Sequence, residues 1–213
     1  MAPILKNHYF PPRKAPSIRI MEDRVKVKEV KVLSDDWYLL KKTTYDLQLR
    51  DGSWQTVSRE TYDRGNGATI LLVNREKKTV LLTRQFRFPA YVNGCRNGML
   101  IEACAGLLEN EKPEDAIRRE CEEETGYHLG PVTKLFEAYM SPGSVTEKLH
   151  FFAAEYDDSS KKAAGGEDAN HGEEIEVLEL ELAEALQMIE TGEIQDGKTI
   201  MLLQHAKLKR LID

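Results

Sequence analysis

Residues 105–127, AGLLENEKPEDAIRRECEEETGY, are the segment of this 213-residue chain that decides its fold. The segment predicts a loop followed by one helix. Pro113 suits the first helical position, where its missing N–H costs nothing. Glu114 and Asp115 place negative charge in the first turn, where the helix dipole favours it. Gly126 suits the left-handed residue that ends a helix, so we predict a helix between Pro113 and Gly126.

Two glutamates of this helix are predicted to emerge on its apolar side. With about 100° per residue and Glu120 at zero, Glu124 falls at roughly +40°. On the same wheel Ile117 lies near +60° and Ala116 near −40°. Neighbouring buried carboxylates are costly unless a cation compensates them, and oxygen ligands favour Mg²⁺ or Mn²⁺. The alternative is a solvated acidic helix face, which most runs of charge form.

The order of residues favours the metal site. Residues 119–127, preceded by Glu111, resemble the Nudix box, G-x5-E-x7-R-E-U-x-E-E-x-G-U, in which U is bulky and apolar. The first glycine of the box falls on Ala105, and Gly106 comes one residue late. The family's metal ligand at that position is a backbone carbonyl, which alanine also supplies. Cys121 takes the first apolar position, where a buried cysteine acts as a small hydrophobic residue.

Four further segments are similar to the GDP-mannose-hydrolysing branch of the Nudix enzymes that act on nucleoside-diphosphosugars. They are YDRGNGATILL at 62–72, RQFR at 84–87, YMSPG followed by VTE within 139–147, and TGEIQDGKT at 191–199. The resemblance covers most of residues 30–205.

Composition excludes several other classes of protein. The chain is 41% hydrophobic and 31% charged, with a formal net charge of −6, which is ordinary for a globular protein and argues against general nucleic-acid binding. It has no run of 18 apolar residues, so no membrane span is expected. Three cysteines without metal-binding spacing fit a reducing cytosol, and we expect a cytoplasmic protein.

Residues 1–22 are predicted to form a flexible N-terminal arm. The first 21 residues hold four of the eight prolines, four basic residues and no acidic one. They lack the apolar core of a secretory signal, although an organellar signal stays open.

Residues 23–63 are predicted to form an antiparallel β subdomain. Residues 25–33 alternate apolar and polar side chains, which indicates a half-buried strand. Residues 37–50 and 54–62 form two more strands around an Asp51-Gly52 turn. Such a small sheet is marginal alone. The family resemblance implies that it builds a homodimer whose subunits share each substrate site.

Residues 64–213 alternate strands with a few helices. The expected fold is α/β, a Nudix α/β/α sandwich around a mixed sheet with the N-terminal antiparallel extension. Residues 157–174 form a polar loop that is too long for a plain connector. The final helix follows Asp196-Gly197, and we expect Ile200, Leu203 and Leu208 on its inner side.

The resemblance implies that this domain carries the metal site. The expected metal ligands are the carbonyl of Ala105 and the carboxylates of Glu120, Glu124 and Glu173. Glu123 is either a further ligand or an orienting residue tied to Arg119. We expect Arg119 to pair with Glu123 or Glu111 rather than cancel the metal site.

The resemblance also implies a general base on the loop before the last strand. Glu173 is our candidate for that base, with Glu174 and Glu167 as alternatives. The residues expected to act in catalysis are Glu123, Glu124 and Glu173.

Residues implied to bind substrate come from several parts of the chain. Trp37 would stack on the base, Arg87 would bind phosphate as a bidentate guanidinium, and Lys198 would reach the substrate from its neighbour's side. The full set is Trp37, Arg59, Glu60, Arg87, Gly106, Leu107, Glu147 and Lys198. The alternatives are a core aromatic for Trp37, a cross-strand ion pair for Arg59 and Glu60, and a helix-surface position for Lys198.

The function implied is Mg²⁺-dependent hydrolysis of GDP-mannose to GMP and mannose 1-phosphate. Metal and pyrophosphate motifs are shared within the family, so ADP-ribose or another nucleoside-diphosphosugar is the rival substrate. A non-catalytic module that senses a nucleotide sugar is the alternative of another class. The costly Glu120, Glu123 and Glu124 cluster argues against such a module.

Overall fold

The computed structural model describes residues 24–162, 167–168 and 173–212. The arm predicted for residues 1–22 lies outside the described residues. None of the helices in the described ranges is both long and apolar enough to cross a membrane.

An antiparallel three-stranded sheet opens the described chain. Its strands are β1 (Val25–Asp35), β2 (Leu39–Gln48) and β3 (Trp54–Asp63), in that spatial order. Gly52 has a φ of 88° in the turn that joins β2 to β3, so the predicted turn forms. The prediction that the first strand is half-buried is wrong for the single chain, because every residue of β1 is exposed.

A seven-stranded mixed sheet forms the centre of the fold. The remaining strands are β4 (Gly67–Asn74), β5 (Thr79–Phe86), β6 (Met99–Glu102), β7 (Ala105–Leu107), β8 (Val132–Tyr139), β9 (Lys148–Glu155), β10 (Glu167–Asp168), β11 (Glu173–Glu174) and β12 (Glu176–Glu181). The central order is β12-β5-β4-β9-β8, with β6 paired to β5 and β7 to β4. Strands β4 and β9 are parallel and the other pairs are antiparallel, while β10 and β11 pair with each other.

The described residues form four α-helices. They are α1 (Phe88–Val92), α2 (Pro113–Thr125), α3 (Leu182–Thr191) and α4 (Gly197–Lys209). Helix α2 begins at Pro113 and ends before Gly126, whose φ of 75° is left-handed, as predicted. The short helix α1 was not predicted, because residues 88–98 carry turn-forming residues and no helical period.

Strand β4 is buried on both faces, which explains why helices pack on both sides of the central sheet. Leu71 and Val73 pack in one apolar cluster with residues of α3 and α4. Ile70 and Leu72 point to the other side and pack with Ile117 of α2. Successive strand residues face opposite sides, so one buried strand supports helices on both faces. The predicted α/β/α sandwich around a mixed sheet is confirmed.

The prediction for the inner face of α4 is correct at Ile200 and Leu203 and wrong at Leu208. Leu203 is fully buried and Ile200 packs beside the core, but Leu208 is 81% exposed. Leu202 and Ala206 complete the buried face instead. Leu208 follows Leu203 by five residues, which turns it about 140° away from the core.

The N-terminal sheet is joined to the central domain at Tyr62. Its N–H donates to the carbonyl of Ser144 at 2.8 Å, and its carbonyl accepts from the N–H of Thr146 at 3.1 Å. These bonds tie the end of β3 to the loop before β9, so residues from both sheets border the same region.

Candidate active site

Glu120 lies on α2 directly against the backbone of Gly106 in β7. A Cβ atom built on Gly106 would lie 2.2 Å from Cγ and 2.3 Å from Cδ of Glu120. Real Cβ contacts are essentially never that short, so this position requires glycine for space rather than for its φ angle. The one-residue shift of the glycine from Ala105 to Gly106 therefore has a structural reason.

Glu124 lies one turn further along α2 and is more deeply buried. Its Oε2 atom is buried and has no hydrogen-bond partner among the described residues. The pKa of Glu124 is raised to about 7, chiefly by burial and also by the charge of Glu120. Contacts with Cys104 and the charge of Arg87 act in the opposite direction. A buried carboxylate oxygen without a partner is costly, so Glu124 favours a cationic ligand.

These carboxylates fit a divalent metal ion. Glu120 and Glu124 lie one helical turn apart and offer hard oxygen donors, as Mg²⁺ and Mn²⁺ prefer. Ala105 precedes Gly106 in β7 and brings a backbone carbonyl to the same strand. Within the described ranges no three acidic, histidine or cysteine side chains form a complete metal site. The fourth expected ligand, Glu173, has a side chain outside what the structure describes.

Arg119 organises the outer side of the box helix. It contacts Glu111 at 3.2 Å and Glu123 at 3.1 Å, as predicted. It also lies 3.0 Å from Oε1 of Glu120, which was not predicted. The side chain of Glu123 is 62% exposed, which favours an orienting role through Arg119 over direct metal binding.

Arg87 and Lys198 meet at one buried carboxylate that the sequence reasoning missed. Arg87 donates to both oxygens of Glu102, through Nε at 2.8 Å and Nη2 at 3.3 Å. Lys198 donates to the same carboxylate and also lies 3.1 Å from Asp196. Lys198 is therefore not a helix-surface residue. The available signal was Glu102 itself, a lone charge within the apolar run MLIEACA at 99–105.

The candidate base-binding residues lie on the N-terminal sheet. Trp37 follows β1 and is 82% exposed, so the alternative of a core aromatic is wrong. Arg59 and Glu60 are neighbours on β3 and both side chains are exposed. Arg59 donates to the carbonyl of Ser58 at 2.8 Å. This contact does not support the alternative in which Arg59 and Glu60 form a cross-strand ion pair.

Gly106, Leu107 and Glu147 meet near the start of β4. Gly106 pairs with Ala68 and Leu107 with Gly67 in the sheet register. Glu147 lies 3.4 Å from Arg64, and its side chain is 13% exposed. A Cβ on Gly67 would lie 3.8 Å from Oε1 of Glu147, so this carboxylate borders the strand end beside the box.

Two short strands, β10 and β11, lie in the loop that carries Glu173. Glu173 pairs with Asp168, and Glu174 with Glu167. Strand β10 lies against α2 and β11 against β5. Glu174 also borders a cleft of about 430 Å³ beside Arg84. Glu174 is exposed, whereas the side chains of Glu173 and Glu167 lie outside the described residues.

Two family profiles match the chain. The first is described as the GDP-mannose pyrophosphatase NudK N-terminal domain and matches residues 24–62. The second is the NUDIX domain and matches residues 63–203. Together they cover the N-terminal sheet and the central sandwich.

Curated relatives are similar over nearly their whole length. A GDP-mannose pyrophosphatase of Pectobacterium atrosepticum is 58% identical over 189 residues, covering 89% of this chain and 97% of that protein. One of Citrobacter koseri is 57% identical over 192 residues, covering 90% and 100%. One of Escherichia coli O157:H7 is 55% identical over 193 residues, covering 91% and 100%.

A solved structure shares the fold at low sequence identity. It is titled as an ADP compounds hydrolase and superposes with a TM-score of 0.65 at 16% identity. The match covers 87% of this chain and 96% of the other. The domain profile and the curated relatives confirm the resemblance seen in the box. The chain therefore belongs to the Nudix hydrolase family.

Proposed function

We propose that this chain hydrolyses the pyrophosphate bond of GDP-mannose to give GMP and mannose 1-phosphate, in a metal-dependent reaction. The observation that carries the proposal is the buried Oε2 of Glu124, which lacks a partner among the described residues, one turn from Glu120. The relatives named GDP-mannose pyrophosphatase support the choice of substrate, because they match along almost all of their length.

Mg²⁺, or Mn²⁺ in its place, would be held by Glu120, Glu124, the carbonyl of Ala105 and Glu173. When bound, the metal would neutralise charge on the pyrophosphate oxygens and lower the pKa of water. Glu123 would orient Arg119, which lies against Glu120 and fixes the outer edge of the acidic cluster.

Arg87 and Lys198 would bind the phosphates of the substrate. Arg87 presents a planar guanidinium whose plane is set by its two bonds to Glu102. Lys198 lies at the same carboxylate from the start of α4. Both charges would attract the negative diphosphate equally in the ground state and in the transition state, so they would contribute to substrate binding.

Glu173 would act as the general base that takes a proton from the attacking water. Its strand lies against β5, and β10 lies against α2, which supports placing this loop at the box. Glu174 and Glu167 are the alternatives. Turnover in Glu173→Gln, Glu174→Gln and Glu167→Gln distinguishes them, because removal of the base should cause by far the largest loss in kcat.

The nucleotide and sugar would be recognised outside the box. Trp37 would stack on the base, and Arg59 and Glu60 would contact nucleotide or sugar. Glu147 would accept a hydrogen bond from a sugar hydroxyl, with the backbone of Gly106 and Leu107 beside it. The exposure of Trp37 supports this role, since a large aromatic side chain that is 82% exposed does not contribute to a core.

Dimerisation would complete this site. Val25, Val27, Val30 and Val32 of β1 are each more than half exposed in the single chain. A contiguous exposed apolar face indicates an interaction surface. We therefore propose that residues 23–63 form the contact in a homodimer, and that its two subunits share each substrate site.

We also propose that the protein is located in the cytoplasm. All three cysteines, Cys95, Cys104 and Cys121, are free thiols in the structure. Free thiols suit a reducing compartment, which supports the cytoplasm.

A substrate panel in the presence of Mg²⁺ tests the proposal. GDP-mannose is expected to be hydrolysed with the highest kcat/KM, with GMP and mannose 1-phosphate as products. Much faster turnover of ADP-ribose than of GDP-mannose would refute the choice of substrate and favour the rival activity. Glu120→Gln provides the matched inactive enzyme, because it keeps the shape of the side chain while it removes the charge. Binding without hydrolysis by the unmodified chain would favour a sensor.

A further inference from the structure

Glu102 is a buried carboxylate outside the Nudix box. It ends β6, where it is 2% exposed and pairs with Thr83 of β5. Its carboxylate accepts from Arg87, which directly follows β5, and from Lys198, in the first turn of α4. One side chain therefore joins two elements that are far apart in the sequence.

The charge of Glu102 is maintained by these two partners. Burial alone would raise the pKa of Glu102, but the charges and hydrogen bonds of Lys198 and Arg87 lower it below the usual range. The side chain is therefore ionised in the folded protein. A buried carboxylate is tolerated when it is paired and hydrogen-bonded in this way.

Ala103, the residue that follows β6, fixes the start of α4. The N–H of Ala103 donates to Oγ1 of Thr199 at 2.6 Å. Oδ2 of Asp196 accepts from the N–H and the hydroxyl of Thr199, at 3.0 and 2.6 Å. Asp196 also contacts Lys198 at 3.1 Å. The backbone that carries Lys198 is thus anchored to the residue that directly follows Glu102.

We propose that Glu102 is a positioning residue for substrate binding. It sets the plane of the Arg87 guanidinium and the place of the Lys198 ammonium, so that both meet the diphosphate of the substrate. This inference rests on the proposed function in one respect, namely that Arg87 and Lys198 bind the phosphates. A residue of this kind changes substrate affinity through its neighbours, whereas a purely structural ion pair changes stability alone.

Glu102→Gln is the first test, because glutamine keeps the shape of the side chain and removes its charge. KM for GDP-mannose is expected to rise about 10-fold or more, with a much smaller change in kcat, since interactions lost equally from ground and transition states appear in KM. Kd for GDP, measured by calorimetry, should rise by a similar factor. An unchanged KM and Kd in a folded variant would overturn the proposal, even if its Tm had fallen.

Glu179→Gln is the control for loss of a carboxylate that has several partners but lies away from Arg87. Glu179 is an exposed residue of β12 that pairs with Leu81 near the start of β5. It lies 3.4 Å from Lys77, 3.1 Å from Thr79 and 3.0 Å from Tyr156. This variant is expected to lose some stability and to keep the KM of the unmodified chain. An equal rise in KM in both variants would mean that loss of stability, rather than positioning, causes the effect.

A double-mutant cycle tests whether Glu102 acts through Lys198. Lys198→Met is expected to raise KM by itself, and Glu102→Gln should then add much less than it does in the unmodified chain. Fully additive effects would overturn the proposed route. If Glu102→Gln does not fold, Glu102→Asp replaces it in both tests, because the shorter side chain keeps the charge but withdraws it from one or both cations.

The GDP binding measurement separates this inference from the proposed function. If the unmodified chain does not hydrolyse GDP-mannose, the proposed function fails. The effect of Glu102→Gln on Kd for GDP would still support or overturn the positioning role. If hydrolysis is observed and Kd and KM stay unchanged in the variant, the positioning role alone fails.

Discussion

The Glu120 carboxylate and the Gly106 backbone lie so close that no side chain fits between them. A Cβ on Gly106 would meet Glu120 Cδ at 2.3 Å and Oε1 at 2.8 Å. β7 and α2 thus place the box carboxylate by direct contact. This arrangement makes Gly106 a sensitive reporter of the position of Glu120.

Gly106→Ala is expected to lower kcat/KM by about 10²-fold, because a displacement of roughly 1 Å can cost that much when geometry is critical. Steady-state kinetics with GDP-mannose measures the effect. Gly130→Ala is the control, since nothing lies within 4 Å of a Cβ at that position. Equal activity in the two variants would show that the contact with Glu120 does not matter.

Glu120→Gln and Glu124→Gln are expected to lower kcat by about 10²- to 10³-fold, the usual loss when one group that stabilises charge is removed. Ala105→Gly should stay close to the unmodified chain, because the backbone carbonyl is unchanged. Circular dichroism checks that all three variants fold. Comparable losses in Ala105→Gly and Glu120→Gln would contradict the assignment of Ala105 as a backbone ligand.

The raised pKa of Glu124 predicts a dependence of stability on pH and metal. Its pKa is about 7 in the fold, against 4.5 as the ordinary value, so the folded state holds one more proton between these values. Without divalent cations, this group therefore makes the free energy of unfolding fall as pH rises from about 4.5 to 7.

Mg²⁺ should reverse that loss, because it compensates the ionised carboxylate. The rise in Tm on adding Mg²⁺ is expected to be larger at pH 8 than at pH 5, and to shrink in Glu124→Gln. Scanning calorimetry in EDTA and in Mg²⁺ measures both. A rise of the same size at both pH values would show that Glu124 does not control metal binding.

Trp37→Ala is expected to raise KM without loss of stability. Stacking of a base on an aromatic ring contributes about 1–3 kcal/mol, which corresponds to roughly a 5- to 150-fold change. The side chain is 82% exposed, so Tm should hardly change. Trp54→Phe, at the far end of the hairpin, is the control with unchanged KM. If both variants had the same KM, Trp37 would not be part of the substrate site.

Val30→Glu is expected to convert a dimer into a monomer and to lower activity. The substitution places a charge on an apolar face that is proposed to be covered by the second subunit. Lys31→Glu is the control, because the neighbouring strand residue points to the opposite side. Light scattering after size-exclusion chromatography measures the mass. A monomeric unmodified chain would refute the homodimer.

The acidic helix could be predicted from local sequence because its determinants are local. Pro113 and Gly126 fix its ends, and the 3.6-residue turn places Glu120 and Glu124 together with Ile117. The burial of β1 could not be predicted in the same way. Alternation shows that one face of a strand is apolar, but not whether the same chain covers that face.

Local spacing in the sequence was enough to predict the box helix and its pair of carboxylates, and the resemblance of that segment to the Nudix box implied the family and the layered fold. Only the tertiary structure decided how Arg87 and Lys198 are held. They meet at Glu102 because β6 lies beside β5 and the first turn of α4 is bonded to Ala103. Contacts between residues so far apart in the chain leave no periodic signal, and packing alone brings them together.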